Sequence, residues 1–257
     1  MDHRFVGLLP PGAGGDDVLS LYRDAARPAP PDRPWVLANF VAGLDGSIAL
    51  DGRVGSLTSA ADQVVFTLLR ELADVVLVGA GTVRAERYGP VSIDDAAREP
   101  RAERGQEPVP PVAVVTRSLQ LDLSGQLFRD PDRRPIIITV ERTDDAARRR
   151  VGEVADVLVA GETVVEPARA LAALADRGMR LVTCEGGPSL ITMLLGAGML
   201  DELCLTLTPL VGGDPVRLVS DAPRLPLTRF DLASVVSGGR DELFLRYVSP
   251  RAEDGGA

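Results

Sequence analysis

Two apolar, β-branched runs that each end in glycine and open a helical pattern constrain this chain more than any other feature. One is Val75–Val78, which leads into Gly79-Ala80-Gly81-Thr82. The other is Leu181–Cys184, which passes through Glu185 into Gly186-Gly187-Pro188-Ser189. Short apolar runs bounded by glycine describe strands buried on both faces, and such strands belong to parallel sheets covered by helices. Glycine lets backbone N–H groups approach a ligand, and a helix N-terminus adds unpaired donors and partial positive charge. Two turns of this kind at strand C-termini of one parallel sheet face a common crevice, which a dinucleotide would bridge. Taken singly, each also reads as plain strand-to-helix geometry. Gly79-Ala80-Gly81 supplies G-x-G, but Arg84 stands where a third glycine belongs, so the Rossmann topology is not implied.

The other segments agree with that class. Trp35–Val41 is an apolar strand followed by a turn at Asp45-Gly46. Val64, Val65, Leu68, Leu69 and Leu72 recur at helical spacing behind a cap at Thr58 or Ser59, and Ser59-x-x-Asp62 resembles a capping box. "PVAVVT", "RPIIIT" and "ADVLVA" read as further strands, and Pro167–Asp176 and Pro188–Leu195 as helices. Residues 90–110 are polar and proline-rich and read as a long surface loop. The last third is strand-rich, with a hairpin signal at Ser237-Gly238-Gly239-Arg240. The expectation is an α/β three-layer sandwich with a mostly parallel central sheet and an antiparallel C-terminal edge. Residues 1–34 are a Pro/Gly-rich arm, 35–250 a single domain and 251–257 a disordered tail.

Composition then excludes chemistries. All 28 basic residues are arginine, which removes a Walker lysine, a pyridoxal Schiff base and a lysine general base. The sole histidine is His3, so histidine triads and histidine-bound zinc are not expected, and Cys184 and Cys204 read as reduced core thiols rather than metal ligands. No metal is expected. A net charge of −9 gives no broad basic surface for nucleic acid, and no apolar run reaches membrane-span length. The N-terminus lacks a signal-peptide layout, so a cytoplasmic location is expected. Chemistry must then run through carboxylates, arginine, backbone or a cofactor. At the next strand end, Thr116-Arg117-Ser118 reads either as a clamp for a ribose 2′-phosphate, which would select NADP over NAD, or as a solvated loop start.

"LDGSIA", "VLVGAGTVRAE", "CEGGPSLITMLLGAGMLDEL" and "LTPLVGG" occur in that order. From about Trp35 to Tyr247 the chain resembles the pyrimidine reductases of riboflavin biosynthesis, the reductase domain of the bifunctional deaminase/reductases, which share the dihydrofolate reductase fold. The resemblance implies NADPH as hydride donor, a homodimer, and a (phospho)ribosylaminopyrimidine whose ribosyl group is reduced to ribityl. It implies that Val41, Ser56, Thr82 and Glu86 line the NADPH site, beside the glycine turn at Gly79 and Gly81. Gly186, Gly187, Pro188, Ser189 and Leu190 would cradle the phosphates, with Thr116, Arg117 and Ser118 nearby. Arg70 and Glu185 would face the substrate. The zinc-deaminase signature that many relatives carry is lacking, so a stand-alone reductase is expected. Relatives usually have aspartate at the position of Glu86, and the loop after it does not align. Arg84 and Arg87 read there as phosphate holders or as plain surface arginines.

With no usable histidine or lysine, the proton sources left are Asp45, Glu86, Glu185 or an ordered water. Glu185 and Asp45 are the catalytic candidates. Glu185 also suits the amino groups of a pyrimidine, its plainer alternative being a turn-stabilising acid, while Asp45-Gly46 also reads as a plain turn. Two rival functions are a dihydrofolate or pterin reductase on the same fold and a non-catalytic NADP-binding regulatory protein.

Overall fold

The computed structural model describes residues 5–10, 17–51, 53–129, 133–220 and 225–250. Its centre is one sheet of ten strands in the order β1-β9-β10-β8-β2-β7-β3-β4-β5-β6. These strands are β1 (Val6–Leu9), β2 (Trp35–Gly43), β3 (Val75–Gly79), β4 (Val112–Val115), β5 (Ile136–Thr139), β6 (Asp156–Val159), β7 (Leu181–Cys184), β8 (Glu202–Thr208), β9 (Asp231–Gly238) and β10 (Glu242–Val248). From β8 across to β6 all neighbours pair in parallel, and β10, β9 and β1 continue the sheet antiparallel. Helices cover both faces, completing the three-layer α/β sandwich that the element pattern implies.

Strand alternation sorts the core into two layers. On one face of β2, Trp35 and Leu37 meet Val65, Leu68 and Leu69 of α2 (Ala60–Leu72), together with Tyr22 of α1 (Ser20–Arg23). On the other face, Val36, Ala38 and Phe40 meet Leu171 and Leu174 of α7 (Pro167–Ala175) and Leu190, Ile191 and Leu194 of α8 (Pro188–Gly196). Each such aliphatic side chain contributes roughly 1.5–3 kcal/mol by leaving water. β3, β4 and β5 run as near-continuous valine and isoleucine because both their faces are covered. β8, β9 and β10 alternate buried with half-buried residues, as strands with only one well-packed face do.

Two segments differ from the sequence reading. Residues 90–110 are not one irregular loop, since Asp95–Glu103 forms helix α4 despite Pro100. Its polar sequence hides an anchor, Arg101, which is fully buried. Arg101 donates to the carbonyls of Glu71, Ala73 and Glu107 at 2.8, 2.8 and 2.9 Å. The first two are orphan acceptors at the end of α2, so tertiary docking rather than propensity holds the segment. The arm is also built into the fold: β1 adds an antiparallel edge to β9. Arg27 and Arg246 then close from two sides on the buried carboxylate of Glu202, at 2.8 and 2.7 Å. Residues 251–257, expected as a tail, lie outside the described residues.

Candidate active site

A cavity of about 1390 Å³ runs along the C-terminal ends of β4, β3, β7 and β2. Neighbouring strands lie about 4.8 Å apart, so these four span roughly 14 Å. The volume exceeds the range of about 300–1,000 Å³ usual for one small ligand. It leaves room for two.

The two glycine turns meet in its wall because β3 and β7 are neighbours. Gly79 N–H donates to Gly186 O at 2.7 Å, and Glu185 N–H donates to Leu77 O at 2.9 Å, which stitches one turn to the other. Gly186 has φ +93°, and a Cβ there would lie 3.1 Å from the Phe40 ring. A Cβ on Gly187 would lie 2.7 Å from Thr82 Oγ1. The pair of glycines thus lets the turn pack directly on the Phe40 ring and the Thr82 hydroxyl, which a Cβ at either position would crowd. Gly187 is the N-cap of α8 and no side chain caps that helix, so its first turn presents backbone donors to the cavity. Gly79, Gly81, Thr82, Gly187, Pro188, Ser189 and Leu190 all line the space. Donors of this kind fit the phosphates of a dinucleotide.

At the far end of the same wall, Thr116, Arg117 and Ser118 line the mouth, where Arg117 and Ser118 are exposed. Thr116 is buried and its Oγ1 accepts from Leu119 N–H at 3.2 Å, so that hydroxyl shapes the turn. Arg84 also lines the mouth and is held to Gln120 O at 3.1 Å. Two guanidinium groups therefore stand at one entrance.

Glu185 is fastened firmly. Arg70 Nε and Nη2 donate to its two carboxylate oxygens at 2.7 Å each, and the Tyr88 hydroxyl donates to Oε2. Arg70 Nη2 also donates to Tyr88 Oη at 2.8 Å, and the guanidinium lies 4.1 Å from the Phe66 ring centroid. Burial alone would lower the Arg70 pKa, but its hydrogen bonds and charge contact with Glu185 raise it above the ordinary arginine value. Burial, and after it the Glu185 charge, pushes the Tyr88 phenol well above its ordinary value. Tyr88 and Glu185 line the cavity, whereas Arg70 stands behind them. A bidentate guanidinium offers only donors, so the Glu185 oxygens act as acceptors.

Other candidates separate. Val41 lines the cavity, as does Glu86, whose Oε1 accepts from Val54 N–H at 3.2 Å. Ser56 and Arg87 are exposed and lie off the lining, next to Gly55 and Glu86, which are on it. Asp45 also lies off the lining. Its carboxylate accepts from the backbone N–H groups of Ser47, Gly212 and Gly213 at 3.0, 3.0 and 2.6 Å. These bonds, the one from Gly213 first, hold it well below the usual carboxylate range. An acid this reluctant to hold a proton makes a turn brace rather than a proton donor. Asn39, Asp62, Gln63 and Phe66 line the cavity without having been singled out as site residues. Asp62 was hidden inside an ordinary helix-start pattern, and Tyr88 sits in a loop with no periodicity to mark it.

Comparison with known proteins agrees with this geometry. Residues 34–244 match the model of the RibD C-terminal domain. The 2,5-diamino-6-ribosylamino-4(3H)-pyrimidinone 5′-phosphate reductase of Archaeoglobus fulgidus is 31% identical over 191 residues, covering 74% of this chain and 87% of that protein. The riboflavin biosynthesis protein RibD of Mycobacterium tuberculosis is 28% identical over 214 residues, and the match spans only 53% of its length. A pyrimidine reductase-like protein from Corynebacterium diphtheriae superimposes with a TM-score of 0.77 at 27% identity, covering 90% of this chain and 94% of that one. With a family match over most of its length and a two-cradle cavity to go with it, this chain belongs to the RibD C-terminal domain family.

Proposed function

We propose that this protein is the NADPH-dependent reductase that converts the ribosyl group of a (phospho)ribosylaminopyrimidine to ribityl in riboflavin biosynthesis. The observation that carries this reading is the meeting of a double phosphate cradle with a clamped, acceptor-only carboxylate in one cavity. When bound, the reduced nicotinamide supplies a hydride. The chain's part is to hold both partners in register and keep water out. The backbone donors of Ala80, Gly81 and Thr82 at one turn, and of Gly187 and Ser189 at the other, take the pyrophosphate. Arg117, with Ser118, the Thr116 turn and Arg84, receives the ribose 2′-phosphate. Val41, Thr82 and Glu86 line the dinucleotide's path. Glu185, oriented by Arg70 and Tyr88, accepts hydrogen bonds from the amino groups of the pyrimidine. Arg87, exposed next to Glu86, is the basic group left for a substrate phosphate.

The test is NADPH oxidation, followed by absorbance, with the ribosylaminopyrimidine 5′-phosphate as acceptor. Turnover of that substrate is the expected result. Turnover of dihydrofolate alone would assign the chain to pterin reduction. Tight NADPH binding without turnover of either would assign it to nucleotide sensing. NADPH over NADH is expected by at least tenfold in kcat/KM, and Arg117→Ala should erase most of that preference.

A homodimer completes this reading, supported by the apolar groove that Leu203, Leu225, Leu227 and Phe230 form beside β8. Sedimentation velocity at micromolar concentration tests it, a single monomer boundary being the contrary result. Among the described residues no helix is long and apolar enough to cross a membrane. A cytoplasmic site of action, testable by fractionation, fits the proposed reaction.

A further inference from the structure

Asp62 lies near the start of α2, three residues after the cap Ser59, whose Oγ accepts from Asp62 N–H at 3.1 Å. In a capping box its carboxyl would turn back to the helix end. It turns to the Thr206 hydroxyl of β8 instead. Asp62 is 5% exposed and still lines the cavity. The groups facing it are Thr206, Glu242 of β10, Tyr22 of α1 and Ser59, which donates to Glu242 Oε2 at 2.7 Å. Among the described residues no arginine forms an ion pair with it. Burial pushes its carboxyl up to about 6, with the Glu242 charge adding to the rise and the Thr206 bond opposing it. An acid with a pKa near the working pH is the kind that transfers protons efficiently.

The remaining acids are committed elsewhere. Glu185 accepts from Arg70 and Tyr88, Glu86 accepts from Val54 N–H, and Asp45 braces a turn off the cavity. Position also matters. The phosphate cradles occupy the ends of β4, β3 and β7, so a dinucleotide held there projects its other end toward β2 and β8, where Asp62 sits. Asn39 of β2 lines the same end, and its Oδ1 is sealed from solvent with no hydrogen-bond partner. A buried acceptor without a donor is costly until a ligand N–H supplies one.

We propose that Asp62 is the acid that protonates the substrate during reduction, while Asn39 Oδ1 accepts an N–H of the pyrimidine. This rests on the pyrimidine-reductase reading. In the step, the π bond of the open-chain sugar's C=N or C=O group breaks. Its carbon gains the hydride of the reduced nicotinamide, which is oxidised by two electrons. Its nitrogen or oxygen gains the Asp62 proton. Asp62 is left as a carboxylate and recovers a proton from water once product leaves.

The experiment compares wild type, Asp62→Asn and Asp62→Glu by kcat and KM from pH 5 to 9, with thermal melts of the ligand-free proteins over the same range. Wild-type kcat should fall about tenfold per pH unit above the acid's pKa. Asp62→Asn should lower kcat by about 10²–10³-fold, change KM less than threefold, and show no alkaline fall. Asp62→Glu should recover part of kcat.

The melts read the carboxyl independently of turnover. A carboxyl whose folded pKa lies above its unfolded value of about 3.9 loses stability as pH rises through that window. The Tm of Asp62→Asn should therefore gain on wild type between about pH 4 and pH 6 and then hold level, which is followed by extending the melts to pH 4. Asp62→Asn with wild-type kcat, or with the same alkaline fall, overturns the proposal and leaves the reductase reading standing. Wild type that reduces no ribosylaminopyrimidine overturns both.

Discussion

Arg70 and Glu185 join α2 to the end of β7 through two hydrogen bonds of 2.7 Å each, with the Glu185 side chain 4% exposed and that of Arg70 18%. This pair converts a helix arginine and a turn acid into one rigid unit beside the cavity. Removing one partner of a buried ion pair leaves an uncompensated charge. Arg70→Ala is expected to lower stability by about 3 kcal/mol, measured by urea unfolding. Arg70→Lys should recover little, because an ammonium cannot match the bidentate fork. Glu185→Gln should reduce kcat/KM for the pyrimidine substrate about 100-fold while NADPH affinity, read by fluorescence titration, changes less than threefold.

Gly186 carries two constraints at once, a φ of +93° and the Phe40 ring 3.1 Å from where a Cβ would sit. Gly186→Ala should cost about 2 kcal/mol and weaken NADPH binding, since Gly187 and its donors move with it. Phe40→Leu in the same chain would relieve only the steric part. Calorimetric melts of the single and double variants separate the two contributions.

Arg101 fastens α4 to the end of α2 through backbone carbonyls alone. Burial lowers its pKa from the ordinary arginine value, and the nearby charges of Asp74 and Glu71 offset only part of that. Arg101→Met keeps much of the volume but strands the Glu71 and Ala73 carbonyls. We expect a loss of about 2–3 kcal/mol and faster hydrogen exchange confined to residues 95–107, read by mass spectrometry.

Asp45 offers a test by pH. Its folded pKa is depressed, so the stability it contributes is present above the unfolded carboxylate range and is lost as pH falls through the folded value. Asp45→Asn should lower Tm at pH 7, and the difference from wild type should shrink as pH falls below about 4. kcat should stay within threefold of wild type. A collapse of kcat without a change in Tm would return Asp45 to the catalytic apparatus.

Local chemistry in the sequence determined the strands from Trp35 onward, the helices α2, α7 and α8, and the two glycine turns, but not β1 or α4. Val75–Val78 and Leu181–Cys184 are too apolar and too short for anything but buried strands, and Gly186-Gly187-Pro188 can only be a strand stop and a helix start. Those features carried the parallel sheet and the glycine-lined wall of the cavity, because each depends on residues adjacent in the chain. The family motifs added Arg70 and Glu185, though not their contact. What depended on distant residues was decided only in three dimensions. Residues 90–110 look like loop until Arg101 finds the end of α2. Tyr88 has no periodic signal, yet it closes on Glu185 97 positions away. Asp45 and Asp62 look alike in sequence, each an acid at a turn or helix start. Backbone donors from Gly213, Ser47 and Gly212 hold one well below the carboxylate range, while burial between α2 and the strands β8 and β10 raises the other. Charge in a protein is set by surroundings, and surroundings come from the fold.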